Sequence, residues 1–303
     1  MNWSKAKTIL IIVFLIADIF LFYELYPSAI QSRNAIDDEK VQEVMEYLGN
    51  KGVFVNCTIP KASRPKKPLS VKYKSFDSQF ALEKFFQNPQ DISIHQYEDK
   101  TIIEDEEIYL EINKIGELTY KNKQLMGNQS ETIDDEMALS NIEEFLKIIG
   151  IMNKDIYDCT KIKENGYLKM HCSQGYKGTF LDHSYLEINA TNDGVAFMKM
   201  LWFEIEDNEK NKNDIIHPLR ALIELPGLYE DYDGNIIVND ISLGYYFNTD
   251  MEEVREFDMT EVKEGKAVPV WRINANVGKI YINAYNGTVE KKQKIVQNIS
   301  SMV

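Results

Sequence analysis

Residues 6–25, AKTILIIVFLIADIFLFYEL, constrain this chain more than any other stretch. Between Thr8 and Tyr23 the run holds one charge, Asp18, among Ile, Leu, Val and Phe. A helix of about 20 residues crosses the roughly 30 Å hydrocarbon core of a bilayer. Lys7 and Glu24 stand where they can snorkel at its ends. The alternative is a cleaved signal peptide. It fits less well, because the apolar run exceeds the usual h-region of about 7–15 residues and Pro27-Ser28-Ala29 is a poor cleavage site. Lys5 and Lys7 precede the run and no basic residue follows until Arg33, so the positive-inside rule keeps the N-terminus in the cytoplasm. The expected organisation is a cytoplasmic tail over 1–7, a transmembrane helix over 8–26 and an extracellular remainder. That is a single-pass protein of the cell membrane.

Asp18 gives the span a second meaning. A carboxylate at the middle of a span costs about 2.5–3.5 kcal/mol on insertion scales and normally faces a partner helix or a cavity. With one span per chain, the partner comes from another subunit or another protein. The plainer reading is a protonated Asp tolerated in lipid. Ala17 beside it permits close helix approach, and the candidate contact residues are Phe14, Ala17, Asp18 and Leu21.

The formal charge of −14 repels nucleic-acid phosphates and anionic headgroups, so neither is expected as a partner. The acidity reads as solubility before it reads as cation binding. Seventeen Tyr and 14 Phe beside only 15 Gly and 8 Pro describe a folded outer region rather than a disordered stalk. Three cysteines make no disulfide scaffold. One pair nevertheless has a geometric case. Residues 157–164 and 167–174 read as strands joined by Asn165-Gly166, a strong hairpin signal. A two-residue turn sets Glu164 opposite Tyr167, so Cys159 faces Cys172 in a non-hydrogen-bonded pair, with Cα atoms about 4.5 Å apart and within disulfide reach. Two free thiols packed side by side fit the same register. Cys57 is left over and reads as buried rather than reactive.

Taken in order, the outer region alternates helices with strands. A helix is expected from Asp37 to Gly49, then a strand to Ile59. Residues 60–68, PKASRPKKP, form a basic island in an acidic chain, either a solvated loop or a contact for an acidic partner. A short helix capped by Asp77 and several strands follow, to a polar stretch at 121–131 that suggests a domain boundary. A second helix over 132–149 opens with Thr132 and Asp135 as a capping box. Three segments, Tyr109-Leu-Glu-Ile-Asn, Tyr185-Leu-Glu-Ile-Asn and Tyr281-Ile-Asn-Ala-Tyr, each place an alternating strand before a Gly turn. The fold class expected is α+β: after the transmembrane helix, two extracellular domains, 27–130 and 131–303, of helices packed on curled antiparallel sheets.

Chemistry is sparse. His95, His171, His183 and His217 are scattered without ligand spacing, and His171 and His183 read as surface residues. His217, before Pro218, reads as a helix start. No H-E-x-x-H, G-x-S-x-G or Gly-rich phosphate loop occurs. No catalytic residue, metal site or cofactor is expected, and the chain does not read as an enzyme.

The opening MNWSKAKTILIIVFLIADIFL closely resembles the start of the YycI (WalI) family, and residues 268–290, VPVWRINANVGKIYINAYNGTVE, resemble its ending and a PepSY-type hairpin. The resemblance implies an accessory membrane protein of Gram-positive bacteria. Such a protein associates, often with the related YycH protein, with an essential sensor histidine kinase that controls cell-wall metabolism. It modulates that kinase through transmembrane and extracellular contacts. The family carries no catalytic residues onto this chain; only Asp18 and its neighbouring span map onto its interaction element. The competing reading is a tethered PepSY-type ligand-binding or protease-inhibitor module. A wall-active enzyme stands third.

Overall fold

The computed structural model describes residues 14, 38–60, 65–86, 91–127, 132–207, 211–248 and 264–294. The first described helix, α1 (Asp38–Asn50), has Asp38 and Glu39 in its first turn, where the helix dipole favours acid. Its fully buried Leu48 contributes about 1.5–3 kcal/mol. Beyond it lie β1 (Val53–Val55), β2 (Leu69–Tyr73) and α2 (Ser78–Phe85). Asp77 caps α2 by accepting from Phe80 N at 2.6 Å. A meander follows: β3 (Ser93–Gln96), β4 (Lys100–Glu104), β5 (Ile108–Asn113) and β6 (Leu118–Asn122), closed by the short α3 (Lys123–Gly127). Next is α4 (Asp135–Ile148), whose cap is Asp134, accepting from Glu136 N and Met137 N, and not Thr132. Asp wins because its carboxylate reaches two of the orphan amides. The rest comprises β7 (Ile156–Glu164), β8 (Tyr167–Tyr176), β9 (Thr179–Thr191), β10 (Gly194–Leu201), β11 (Phe203–Glu206), α5 (Pro218–Ile223), α6 (Leu225–Leu228), β12 (Ile236–Phe247), β13 (Glu264–Ala275), β14 (Gly278–Asn283) and β15 (Val289–Lys294).

The result is α+β, mostly sheet, and the sheet stays open. The fifteen strands among the described residues hydrogen-bond into one network, predominantly antiparallel. Two pairings are parallel: β1 beside β12, and the start of β9 beside β12. Two main cores exist, but each is assembled across position 130 rather than on one side of it. In the first, β3-β4-β5-β6-β10-β9-β8-β7 form an eight-stranded array, and α2 and α4 cover one of its faces. In the second, Leu48 and Val53 pack with α5, α6, β12, β13 and β14. The cause is register: β6 pairs with β10 and β1 pairs with β12, so the early segments complete sheets built from later ones.

Strand β9 belongs to both halves. Phe180 and Leu181 pair with Gly244 and Tyr245 of β12, whereas Tyr185–Thr191 pairs with β10. Between them His183 takes φ 65°, a left-handed conformation uncommon outside Gly. At this junction the Phe180 ring lies directly against the Gly244 backbone, where a Cβ would collide with it.

Among the described residues no helix is long and apolar enough to cross a membrane. Apart from Phe14, the expected span at 8–26, including Ala17, Asp18 and Leu21, lies outside the described residues. Phe14 is helical and 62% exposed.

Candidate interaction surface

The eight-stranded array has one covered face and one open face. Alternation along each strand sends Leu168, Met170 and Cys172 of β8, Leu186 and Ile188 of β9, and Met198 and Met200 of β10 toward the helices, where they are buried. The residues between them point the other way. Register makes two continuous rows on that open face. One runs Ile162, Lys169, Asn189, Phe197, Lys121, Tyr109, Glu104; the other runs Thr160, His171, Glu187, Lys199, Thr119, Glu111, Ile102, His95. All are exposed or half-buried. At about 4.8 Å per strand, the second row is roughly 34 Å wide.

The polar members of this face hold one another. Glu111 accepts from Tyr109 Oη at 2.6 Å and Lys100 Nζ at 3.1 Å, and these bonds, the tyrosine's first, hold its carboxyl below the usual range. Lys121 lies over the Tyr109 ring at 4.9 Å. Glu117 pairs with Lys199 at 3.1 Å and accepts from Tyr185 Oη. Burial, then that acid, pushes the Tyr185 phenol far up. His171 sits 3.6 Å from Glu187, and Lys169 2.6 Å from Glu164. On this face, across β7 to β10, Thr160, Ile162, Lys169, His171, Glu187 and Phe197 line a cavity of about 310 Å³. Carboxylates committed to Lys and Tyr partners suit recognition by shape and hydrogen bonding more than proton transfer. Among the described residues no group of three or more His, Cys, Asp or Glu is placed to hold a metal ion.

Cys159 and Cys172 are joined as a disulfide, with Cα atoms 4.2 Å apart. The register set by the Asn165-Gly166 turn runs from Glu164:Tyr167 to Thr160:His171, then slips by one, so that Tyr157 faces Ser173. The bulge includes Asp158 at φ 54°. It sends the Asp158 carboxylate to Arg272 of β13 at 3.0 Å. Arg272 is only 4% exposed, lies 4.1 Å from the Phe180 ring centroid and donates to Ser242 Oγ at 3.2 Å. The hairpin of the first core is thereby fastened to the second.

His183 is not a surface residue. It is mostly buried, 3.1 Å from Tyr246 Oη and edge-on to that ring. Its neighbours Asp182 and Ser184 gave no apolar pattern that would have exposed the bend. His217 caps α5 by accepting from Leu219 N at 3.2 Å. Cys57 is half-buried, and burial followed by Asp240 pushes its thiol up. The open face did carry a sequence signal. Tyr109 with Glu111 and Tyr185 with Glu187 are the outward positions of two copies of Tyr-Leu-Glu-Ile-Asn, whereas Tyr281 of the third segment is buried.

A family model described as YycI protein matches residues 31–285. No curated protein matches. Among solved structures, the C-terminal domain of Bacillus megaterium YpeB aligns at 13% identity and a TM-score of 0.39, over 71% of this chain and 94% of that domain.

Proposed function

The chain belongs to the YycI family, a family of regulatory proteins, and from that membership we propose that it is a non-enzymatic, membrane-anchored regulator of a sensor histidine kinase. The observation that carries the proposal is the family match across 31–285. In this reading the span over 8–26 anchors the chain and docks beside the kinase's helices through Asp18, with Phe14, Ala17 and Leu21 around it. The open sheet face is the outer contact, for the kinase or for a YycH-like protein. Its alternation of Phe197, Tyr109 and Ile162 with paired charges supports that role: amphipathic rings and aliphatic groups supply area, and the fixed charges supply register. Regulation follows from differential affinity. A helix and a sheet face that bind one signalling arrangement better than the other shift the kinase by that difference and no more.

Replacing Asp18 with Leu, and separately Phe197 with Asp, tests the two contacts. Each variant, expressed at the normal level, is expected to change response-regulator phosphorylation in cells. Unchanged output for both refutes contact as the mechanism.

A further inference from the structure

The described end of the basic island, residues 65–68, folds into a cationic corner. Lys66 and Asn213 exchange backbone hydrogen bonds at 3.0 and 2.8 Å, and Tyr285 Oη donates to Lys66 O at 3.2 Å. This fixes the loop against the end of β14. Lys67 and Lys177, from the loop and from the β8–β9 turn, both reach the carboxylate of Asp207, the latter at 2.7 Å. The Lys177 ammonium also lies 4.9 Å from the Tyr176 ring centroid, and Tyr176 packs edge-on against Tyr245. Lys67 and Lys177 therefore share one acid, while Lys66, whose backbone pairs with Asn213, lies within range of the Lys177 and Lys212 charges.

Two groups in this corner are unsatisfied among the described residues. The Lys66 ammonium, half-buried, makes no hydrogen bond or ion pair there, and the charges it feels are those of Lys212 and Lys177. Burial first, and then those two like charges, lower its proton affinity. Tyr176 Oη is buried without a hydrogen-bond partner of good geometry, although Asp207 and Lys177 are near enough to act on it. Half-buried positive charge among like charges, and a buried hydroxyl without a well-placed partner, are costly and are relieved by an oxyanion.

We propose that Lys66, Lys177, Lys212 and the Tyr176 hydroxyl form a binding site for a phosphate ester, placed at the rim where the start of β2, the end of β11 and the β8–β9 turn come together. Lysines favour phosphate over carboxylate here because ammonium groups act as point charges converging on a three-oxygen face, whereas planar carboxylates are better matched by the Arg fork. The ester belongs either to a soluble molecule or to a lipid headgroup.

The test uses the full chain in phosphatidylcholine nanodiscs, with sn-glycerol 3-phosphate as the probe and binding followed calorimetrically. Saturable binding is expected, and Lys66→Gln with Lys212→Gln lowers the association constant about tenfold or more. Lys161→Gln with Lys163→Gln, an equal charge change on β7, leaves it unaltered. Tyr176→Phe, which removes one hydroxyl and no charge, weakens binding less and guards against a folding artefact. Nanodiscs containing phosphatidylglycerol separate the sources: competition with the probe identifies a headgroup, and its absence identifies a soluble ester. Failure to saturate, or equal losses in the β7 control and the corner variant, overturns the proposal.

Discussion

The Asp158–Arg272 contact is the sharpest place to test how the two cores are joined. Its partners are unequal: the Asp158 side chain is 56% exposed and the Arg272 side chain 5%. A surface pair contributes at most about 1 kcal/mol, and breaking a fully buried one costs about 3–5 kcal/mol. Asp158→Asn strands a buried guanidinium that keeps its Ser242 hydrogen bond and the Phe180 ring, so a cost of about 1–2 kcal/mol is expected. Asn also tolerates the left-handed backbone at this position. Asp158→Val loses the charge and adds about 1–2 kcal/mol of backbone strain. Arg272→Met, in contrast, returns Asp158 to water and fills the space with an apolar chain, and is expected to cost under about 1 kcal/mol. Urea midpoints of the full chain in detergent at neutral pH, at low and high salt, measure all three. Arg272→Met costing more than 3 kcal/mol while Asp158→Asn costs nothing would refute this partition.

Three further outcomes follow from buried groups. Burial, and then Lys291, lowers the His183 proton affinity while Asp182 opposes the shift, so the folded chain binds this proton less readily than the unfolded one. Stability therefore falls as pH drops below the unperturbed value of about 6.5, and His183→Asn, which keeps the left-handed backbone, flattens that limb of a melting-temperature profile. Tyr73 and Tyr245 are pushed up to about 12 by burial, so stability is lost as pH rises from about 10 toward 12, and ultraviolet titration finds them protonated after the exposed tyrosines have ionised. Gly244→Ala drives a methyl into the Phe180 ring and is expected to cost about 1–3 kcal/mol, with hydrogen exchange quickening first at Leu181 and Tyr245.

Local structure was legible wherever a local rule governs. The Asn165-Gly166 turn fixed the hairpin register as far as Thr160, Asp77 marked its helix, and the Tyr-Leu-Glu-Ile-Asn copies alternated as strands do. What failed to show was non-local. Nothing near Val53 announces that β1 will lie beside Ile236, or near Thr119 that β6 will meet Lys199, so a boundary at 130 cut through both cores. The bend at His183 and the bulge at Asp158 are likewise held by distant residues, Tyr246 and Arg272. The basic island was visible as composition, but the unmatched charge of Lys66 depends on Lys177 and Lys212 arriving from elsewhere.

Complementation of cells lacking this chain bears most directly on regulation by an anchored contact. Response-regulator phosphorylation is compared between cells given the full chain and cells exporting residues 27–303 from a cleavable leader, at matched levels outside the membrane. Restoration by the anchored form alone is the predicted result. Full restoration by the free outer portion would contradict it.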